Sequence, residues 1–407
     1  MRILIFHQFY TKLSEPGIAR FSIFAKEWRK LGAVTDVIAS SRNHTTGGEV
    51  GGSSFYSKEK DESDVTIYRA ASWTFGFGYW TFLGRVLAYL SFTVTSFFTA
   101  LLAPRPDIIV ASAPPIFLGL VAWLVAAIRR VPFAYETRDI WPDEAIELGV
   151  LRNKLVIRMS FALERFIYAR ARKIVVNSPG VKELLTVKKN IDGEKIAVIP
   201  NPIVLEEDKV DEKETRKRLD WNDKFVVLYS GAHAFVYDFD TLLDAAKLLK
   251  DQKDIEIVLM GGGRYKEHVA NRVKEENISN VRLLSAVPHD EVRSYMRAAD
   301  LCVASLKDME FLRYIYATKL LNYMESGRPI LLAMRGVSKE LVERAGAGLV
   351  VPPGDAGLFA ETLNVLKRDP KRLTEMGISG RKFIAEYANA ARLANEYFDL
   401  LQRIVSS

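Results

Sequence analysis

The stretch Phe225–Met260, FVVLYSGAHAFVYDFDTLLDAAKLLKDQKDIEIVLM, decides the fold. Phe225–Ser230 is a short continuous apolar run, Phe239–Leu249 carries a helical pattern, and Ile255–Met260 is a second apolar run. A strand, a crossover helix and another apolar strand imply a parallel sheet covered on both faces. The rhythm extends outward in both directions. Downstream, apolar runs recur at Val281–Leu284, Leu301–Ala304, Ile330–Ala333 and Ala347–Val351, with helical patterns such as Asp290–Ala299 between them. Upstream they recur at Ile3–His7, Thr35–Ala39, Val65–Arg69, Ile108–Ala111, Phe133–Glu136 and Lys173–Asn177, with a helix at Arg20–Leu31. Two such series predict an α/β chain of two Rossmann-like domains.

The chain has 407 residues, of which 49% are hydrophobic and 26% charged, so it can bury a sizeable core and is not disordered. Its net charge of +7 suits anionic partners, whether nucleic acid, lipid or phosphorylated substrate. The basic excess is spread out and forms no nucleic-acid module, so no nucleic-acid partner is expected. The single cysteine, Cys302, excludes an intrachain disulfide and fits a reducing compartment. His7, His44, His233, His268 and His289 lack paired ligand spacing, and no metal site is expected. The opening MRILIF reads as a first strand rather than a signal peptide.

A strand at Ile196–Ile199 ends in PNPIV and is followed by the charged run EEDKVDEKETRKR. The expected division is residues 1–203, residues 204–388, and a terminal helix within 389–407 that packs back towards the first domain. Gly47–Gly52, with Ser53 and Ser54, is expected to be a mobile loop.

Between Tyr79 and Pro104 the only ionised residue is Arg85. Ser91, Thr93, Thr95, Ser96 and Thr99 dilute this run, which is borderline for the roughly 20 residues that a membrane span needs. Pro115–Ile128 is apolar but shorter. Trp73, Phe75, Phe77, Tyr79, Trp80 and Phe82 come before, and Arg129 and Arg130 after. Three readings stand: buried helices, a membrane-facing surface, or a span. The strand DIIVASAPP that follows belongs in a soluble sheet and argues against spanning. The reading adopted is a shallow membrane surface with Trp73, Phe77, Trp80, Phe82 and Arg85 at headgroup level.

Glycines mark two strand-to-helix turns. GGG at Gly261–Gly263 fits a tight turn as well as it fits a phosphate cradle. In EPGIAR, Gly17 allows close backbone approach and Arg20 can meet an anion; an ordinary loop glycine and a capping arginine fit equally well. The segment YATKLLNYMESGRPIL, Tyr316–Leu331, is richer. Lys319 stands three residues before Asn322, near the start of a helix that ends at a glycine and feeds a strand. That arrangement suits a diphosphate beside a lysine, with Asn322 able to bind vicinal hydroxyls.

PGIAR, DIIVASAPPIFLGL, VPFAYETRDIWPDEAIELGVL, VIPNPI, YSGAHAFVYDFDTLLDAA, MEFLRYIYATKLLNYMESGRPIL and GAGLVVPPGD follow one another along nearly the whole chain. In that order they resemble glycosyltransferase family 4. More narrowly they look like its O-antigen and capsule-type members, including fucosaminyltransferases acting on lipid-linked sugars. The resemblance implies a GT-B fold, two Rossmann-like domains facing across a cleft. It implies retaining, metal-independent transfer from a nucleotide diphosphate sugar, a UDP-sugar, to a polyprenyl diphosphate-linked saccharide. The nucleotide sugar is then a substrate, and no cofactor is implied. The location implied is cytoplasmic, peripheral on the inner face of the membrane. Gly17, Arg20, Gly231, His233, Arg264, Tyr314, Lys319 and Asn322 would bind the donor. Arg138 and Asp139, with Lys319, would be catalytic.

The sequence departs from the family at two places. Tyr314 and Asn322 stand where many members carry two glutamates, and the loop after the Gly231 strand has His233, Ala234 and Asp238 in place of an arginine and a lysine. Asp238 would repel a diphosphate, so its side chain is expected to turn away, leaving Lys319, Arg313 or Arg264 to supply positive charge. The competing readings are a non-catalytic GT-B protein that binds a partner enzyme or lipid, and a sugar-nucleotide 2-epimerase. The second would require paired carboxylates and a histidine for proton work.

Overall fold

The computed structural model describes residues 1–13, 15, 19–43, 48–50, 55–205 and 211–407. Of the loop expected at Gly47–Gly52, Gly47, Gly51 and Gly52 lie outside the described residues, as do Ser53 and Ser54. Two compact units emerge, Met1–Pro202 with Ala390–Ser407, and Ile203–Asn389.

The first unit is built on an eight-stranded sheet. Its strands are β1 (Arg2–Phe6), β2 (Val34–Ser40), β3 (Tyr56–Lys60), β4 (Thr66–Ala70), β5 (Ile108–Ala113), β6 (Phe133–Thr137), β7 (Lys173–Val176) and β8 (Ile196–Val198). They lie in the order β3-β4-β2-β1-β5-β6-β7-β8. The pairings are parallel except β3 on β4. β3 is the strand that the sequence reading misses. YSKEK alternates exposed and half-buried residues at the sheet edge, so it has no apolar run to announce it.

Helices α1 (Arg20–Lys30), α2 (Phe82–Leu102), α3 (Phe117–Arg129), α4 (Asp143–Glu147) and α5 (Lys154–Arg170) cover this sheet. Phe21, Phe24, Ala25 and Trp28 fall at i, i+3, i+4 and i+7, which gives α1 one apolar face. The terminal helix Ala390–Ser406 packs on that face. Tyr397 sits edge-on to Phe24 and Trp28, and the Trp28 indole donates to the Ala394 carbonyl at 2.8 Å.

The second unit has six parallel strands, β9 (Phe225–Ser230), β10 (Ile255–Met260), β11 (Val281–Leu284), β12 (Leu301–Ser305), β13 (Ile330–Ala333) and β14 (Gly348–Val351). Their order is β11-β10-β9-β12-β13-β14. Chain direction across the sheet reverses between β1 and β5 in the first unit and between β9 and β12 in the second. Open α/β sheets bind ligands beyond the carboxyl ends of their strands at such points.

α2 is long and apolar enough to cross a membrane by length and composition. It packs on β2, β4 and α3, which buries one side and leaves Leu90, Val94, Phe98 and Leu102 exposed. Its apolar residues therefore divide between the core and an outward face.

Candidate active site

In the second unit the chain leaves β9 at Gly231, whose φ of +141° suits glycine and not a residue with a side chain. A methyl group built there would stand 3.1 Å from Lys319 Nζ. Lys319 is the first residue of the helix Lys319–Glu325 and is buried, not a surface lysine. Its Nζ lies 3.5 Å from the ring centre of Tyr229 and 3.7 Å from that of Tyr237. Nζ has no hydrogen-bond partner among the described residues. Burial pulls the Lys319 pKa well below the usual lysine value. The two π faces oppose part of that pull by favouring the cation.

His233 is wholly buried two residues after Gly231, against Tyr229 and Phe239. Neither ring nitrogen has a partner among the described residues. Burial first, then the Lys266 and Lys319 charges, lower its pKa to about 4. Two nitrogen-bearing side chains are thus buried and unsatisfied at the carboxyl end of β9. Leaving such groups unpaired costs about 1–3 kcal/mol each, a cost that a bound anion would remove.

GGG has a definite structural reason. A methyl group built at Gly261 would lie 1.9 Å from the Gly231 carbonyl oxygen, so the glycine lets the β9 and β10 loops meet backbone to backbone. Lys266, which the sequence reading passed over, locks this junction by donating to the carbonyls of Gly261 and Leu284 at 2.8 and 2.9 Å. Asp238 caps the helix Phe239–Leu248, accepting from Thr241 N and Oγ1 at 3.1 and 2.5 Å. Arg313 is paired with Asp308 and Glu310 at 3.0 and 3.2 Å, so its charge is already offset. Arg264 and Asn322 are exposed, and the Tyr314 hydroxyl donates to Glu310 at 2.9 Å. Lys319 and Asn322, expected on one helical face, differ in depth: the lysine points inward and the asparagine meets solvent.

Arg20 requires a correction. It is fully buried, and its donors are taken. Nε and Nη2 reach Glu136 Oε2 at 3.2 and 3.1 Å, Nη1 reaches the Pro200 carbonyl and Asn201 Oδ1 at 2.6 and 3.3 Å, and Nη2 reaches the Ile199 carbonyl at 2.9 Å. A guanidinium has five N–H groups, so none remains for a phosphate. Gly17 lies outside the described residues, as does the side chain of Phe82.

Arg138 and Asp139 follow β6 at the carboxyl edge of the first sheet. Arg138 Nε donates to the Ala113 carbonyl at the end of β5, 3.3 Å away, and Asn177 Nδ2 reaches the Arg138 carbonyl at 3.4 Å. His7 follows β1, buried, with Nδ1 unpartnered among the described residues. Burial, then Arg138 and Arg20, hold its pKa well below the usual imidazole value. Burial raises the Asp139 pKa, which Arg138 partly opposes. Glu144 on α4 joins them: burial and then Asp139 raise its pKa to about 7. No local pattern marks Glu144, because its shift depends on how deeply α4 seats beside Asp139.

A raised carboxyl pKa means that the folded state holds the Glu144 proton up to about pH 7, whereas the unfolded chain releases it near 4.5. Stability from this group is present at acid pH and is lost as pH rises through 7. Glu144→Gln is therefore expected to melt higher than the native chain at about pH 8.5, by of order 1 kcal/mol, and alike at about pH 4. Thermal melts across pH check this; a gap that widens towards acid would overturn it.

Of the membrane candidates, Phe77 and Trp80 are exposed and Trp73 is half-buried beside Phe55 and Phe75. Arg85 lies over the Trp80 ring at 5.9 Å.

Residues 19–202 match the glycosyl transferase 4-like domain, and residues 211–383 match the glycosyl transferases group 1 family. The chain is 27% identical over 182 residues to the GDP-mannose-dependent monoacylated alpha-(1-6)-phosphatidylinositol monomannoside mannosyltransferase of Corynebacterium glutamicum, covering 43% of this chain and 46% of that one. It is 25% identical over 278 residues to D-inositol 3-phosphate glycosyltransferase 1 of Catenulispora acidiphila, covering 63% of each chain. The chain thus aligns with less than two thirds of either relative's length. Neither relative is named as a fucosaminyltransferase. Among solved structures, Anabaena HepE in complex with UDP and glucose has a TM-score of 0.72 at 17% identity, covering 99% of this chain and 100% of that one, a likeness of fold. The two matches follow one another along the chain, a glycosyl transferase 4-like domain and then a glycosyl transferases group 1 domain, and the two sheets with their switch points form the GT-B fold.

Proposed function

We propose that the chain is a retaining glycosyltransferase that takes a sugar from a nucleotide diphosphate sugar and passes it to a lipid-linked saccharide of surface polysaccharide assembly. The observation that carries this is the pair Lys319 and His233, buried and unpartnered around Gly231. An anionic diphosphate there would accept from the lysine and from a protonated or neutral imidazole. It would also lose the shielding of water, which strengthens the charge stabilisation of a departing diphosphate. Lys319 and Arg264 supply the positive charge in this scheme, and Asn322 meets the ribose hydroxyls. Transfer is then metal-independent, and turnover unaffected by a chelator is the expected result.

The proposed acceptor end is the cluster of His7, Arg138, Asp139 and Glu144. Asp139 and Glu144 are hydrogen-bonding partners for the acceptor hydroxyl, and Arg138 orients the incoming sugar. The exposed aromatics Phe77 and Trp80 and the outward face of α2 would rest on the cytoplasmic side of a membrane.

The donor base proposed is uridine. HepE was solved with UDP, whereas the Corynebacterium relative is named as GDP-mannose-dependent. A thermal-shift screen of UDP- and GDP-sugars decides, because a ligand that binds the folded state raises its melting point. At a hundredfold excess over Kd the stabilisation is about 2.7 kcal/mol. A UDP-sugar is expected to give the larger shift. A GDP-sugar giving the larger one overturns the base, and no shift with either overturns the donor site.

A further inference from the structure

Each crossover through α2, α3 and α5 steps in the same direction across the first sheet, from β4 to β5, β5 to β6 and β6 to β7. Right-handed crossovers place these three helices on one face of the sheet, and α3 packs against both of its neighbours. Helices that follow parallel strands start at the carboxyl edge of the sheet. That is the edge carrying Arg138, Asp139 and Glu144.

The start of α5 has an unusual composition for a solvated helix. Leu155 and Met159 are 66% and 62% exposed, one turn apart, and Val150 just before them is 70% exposed. Arg152, Lys154 and Arg158 lie among them, and no Asp or Glu occurs from Leu148 to Leu163. Asn153 caps the helix by accepting from Leu155 N and Val156 N, so this turn is firmly formed. Its first turn has no acid and begins with a lysine, against the preference of the helix dipole. Lys154 and Arg158 are exposed. Large apolar side chains in solvent, flanked by charge of one sign, form the signature of a helix at an anionic interface.

We propose that the first two turns of α5 dock on an anionic lipid surface, at the edge of the sheet that carries the acceptor cluster. This rests on the reading of the acceptor as lipid-linked. It supplies that reading with a geometry, because a saccharide held at the bilayer surface would meet Arg138 and Asp139 without leaving its lipid. α2, to which the aromatic residues had drawn attention, is then one part of a broader face.

The test is co-sedimentation of the whole chain with vesicles of phosphatidylcholine alone or with phosphatidylglycerol added. The native chain is expected to prefer the anionic vesicles. Lys154→Glu with Arg158→Glu should weaken that binding at least about thirty-fold, since each cation near such a surface contributes about fivefold. Leu155→Ser with Met159→Ser should weaken it on both vesicle types. The shift in melting point given by a nucleotide sugar should be unchanged in both variants, which shows that the fold and donor site are intact. Native binding by either double variant overturns the proposal, as does equal binding of the native chain to both vesicle types. A dimer that Leu155→Ser with Met159→Ser dissolves would assign this face to a second copy instead and overturn it as well. Absence of the donor shift in the native chain is a different failure, that of the glycosyltransferase reading.

Discussion

Lys319→Met is expected to cut transfer severely while raising the melting temperature. Methionine keeps most of the lysine's length and removes an ammonium that has no hydrogen-bond partner and sits between the rings of Tyr229 and Tyr237. Removing a buried unpaired charge or donor relieves a desolvation cost of about 1–3 kcal/mol, while the rings keep an apolar neighbour. Stability should therefore rise by about 1 kcal/mol after the lost cation–π contacts are counted. Transfer should fall by about 10²–10³-fold, the usual loss when one donor to a developing oxyanion is removed. The melting-point shift given by a nucleotide sugar should shrink or vanish. This is the trade between stability and activity expected of a functional residue.

The same lysine predicts a pH dependence. Burial lowers its pKa in the free protein, and a bound diphosphate would restore it. Donor binding should therefore take up a proton and weaken as pH rises above the ligand-free pKa. Calorimetry in two buffers of different ionisation enthalpy measures the uptake. Native turnover in Lys319→Met, or uptake unchanged in it, would remove Lys319 from the site.

The repeating strands were legible because a parallel strand buried on both faces must be apolar throughout. Phe225–Ser230, Ile255–Met260 and Ile330–Ala333 have the limits read from sequence. β3 was not, because an edge strand with one half-covered face has no such requirement. Lys319 stood out by its place in a motif, but its surroundings did not, since Tyr229 and Tyr237 come from a distant segment. Glu144 was invisible for the same reason: α4 brings it to Asp139 only once the chain has folded. Arg20 misled because an arginine after a glycine loop suits an anion, and nothing local revealed that its anion is Glu136 on a strand far along the chain.

Arg20→Ala consequently tests which reading of that arginine is right. Its guanidinium joins α1 to β6 through Glu136 and to the chain beyond β8 through the carbonyls of Ile199 and Pro200. Glu136 in turn accepts from Ser112 at 3.0 Å and from Tyr397 of the terminal helix at 3.3 Å. Both members of the pair are wholly buried. Deleting the arginine strands a carboxylate inside the unit together with two carbonyls, and breaking such a pair costs about 3–5 kcal/mol. A melting point lower by roughly 10 °C is expected. Arg20→Lys should recover little, because three donors on one nitrogen cannot span partners that lie on different sides of a planar fork. Arg20→Met with Glu136→Met should melt well above Arg20→Met alone, since an apolar pair leaves no orphan charge. If Arg20→Ala instead melts as the native chain does and loses only the response to a nucleotide sugar, the arginine belongs to the donor site after all. The carboxylate would then have to be held by Ser112 and Tyr397, two hydroxyls that together offer less than the guanidinium's charge-assisted bonds.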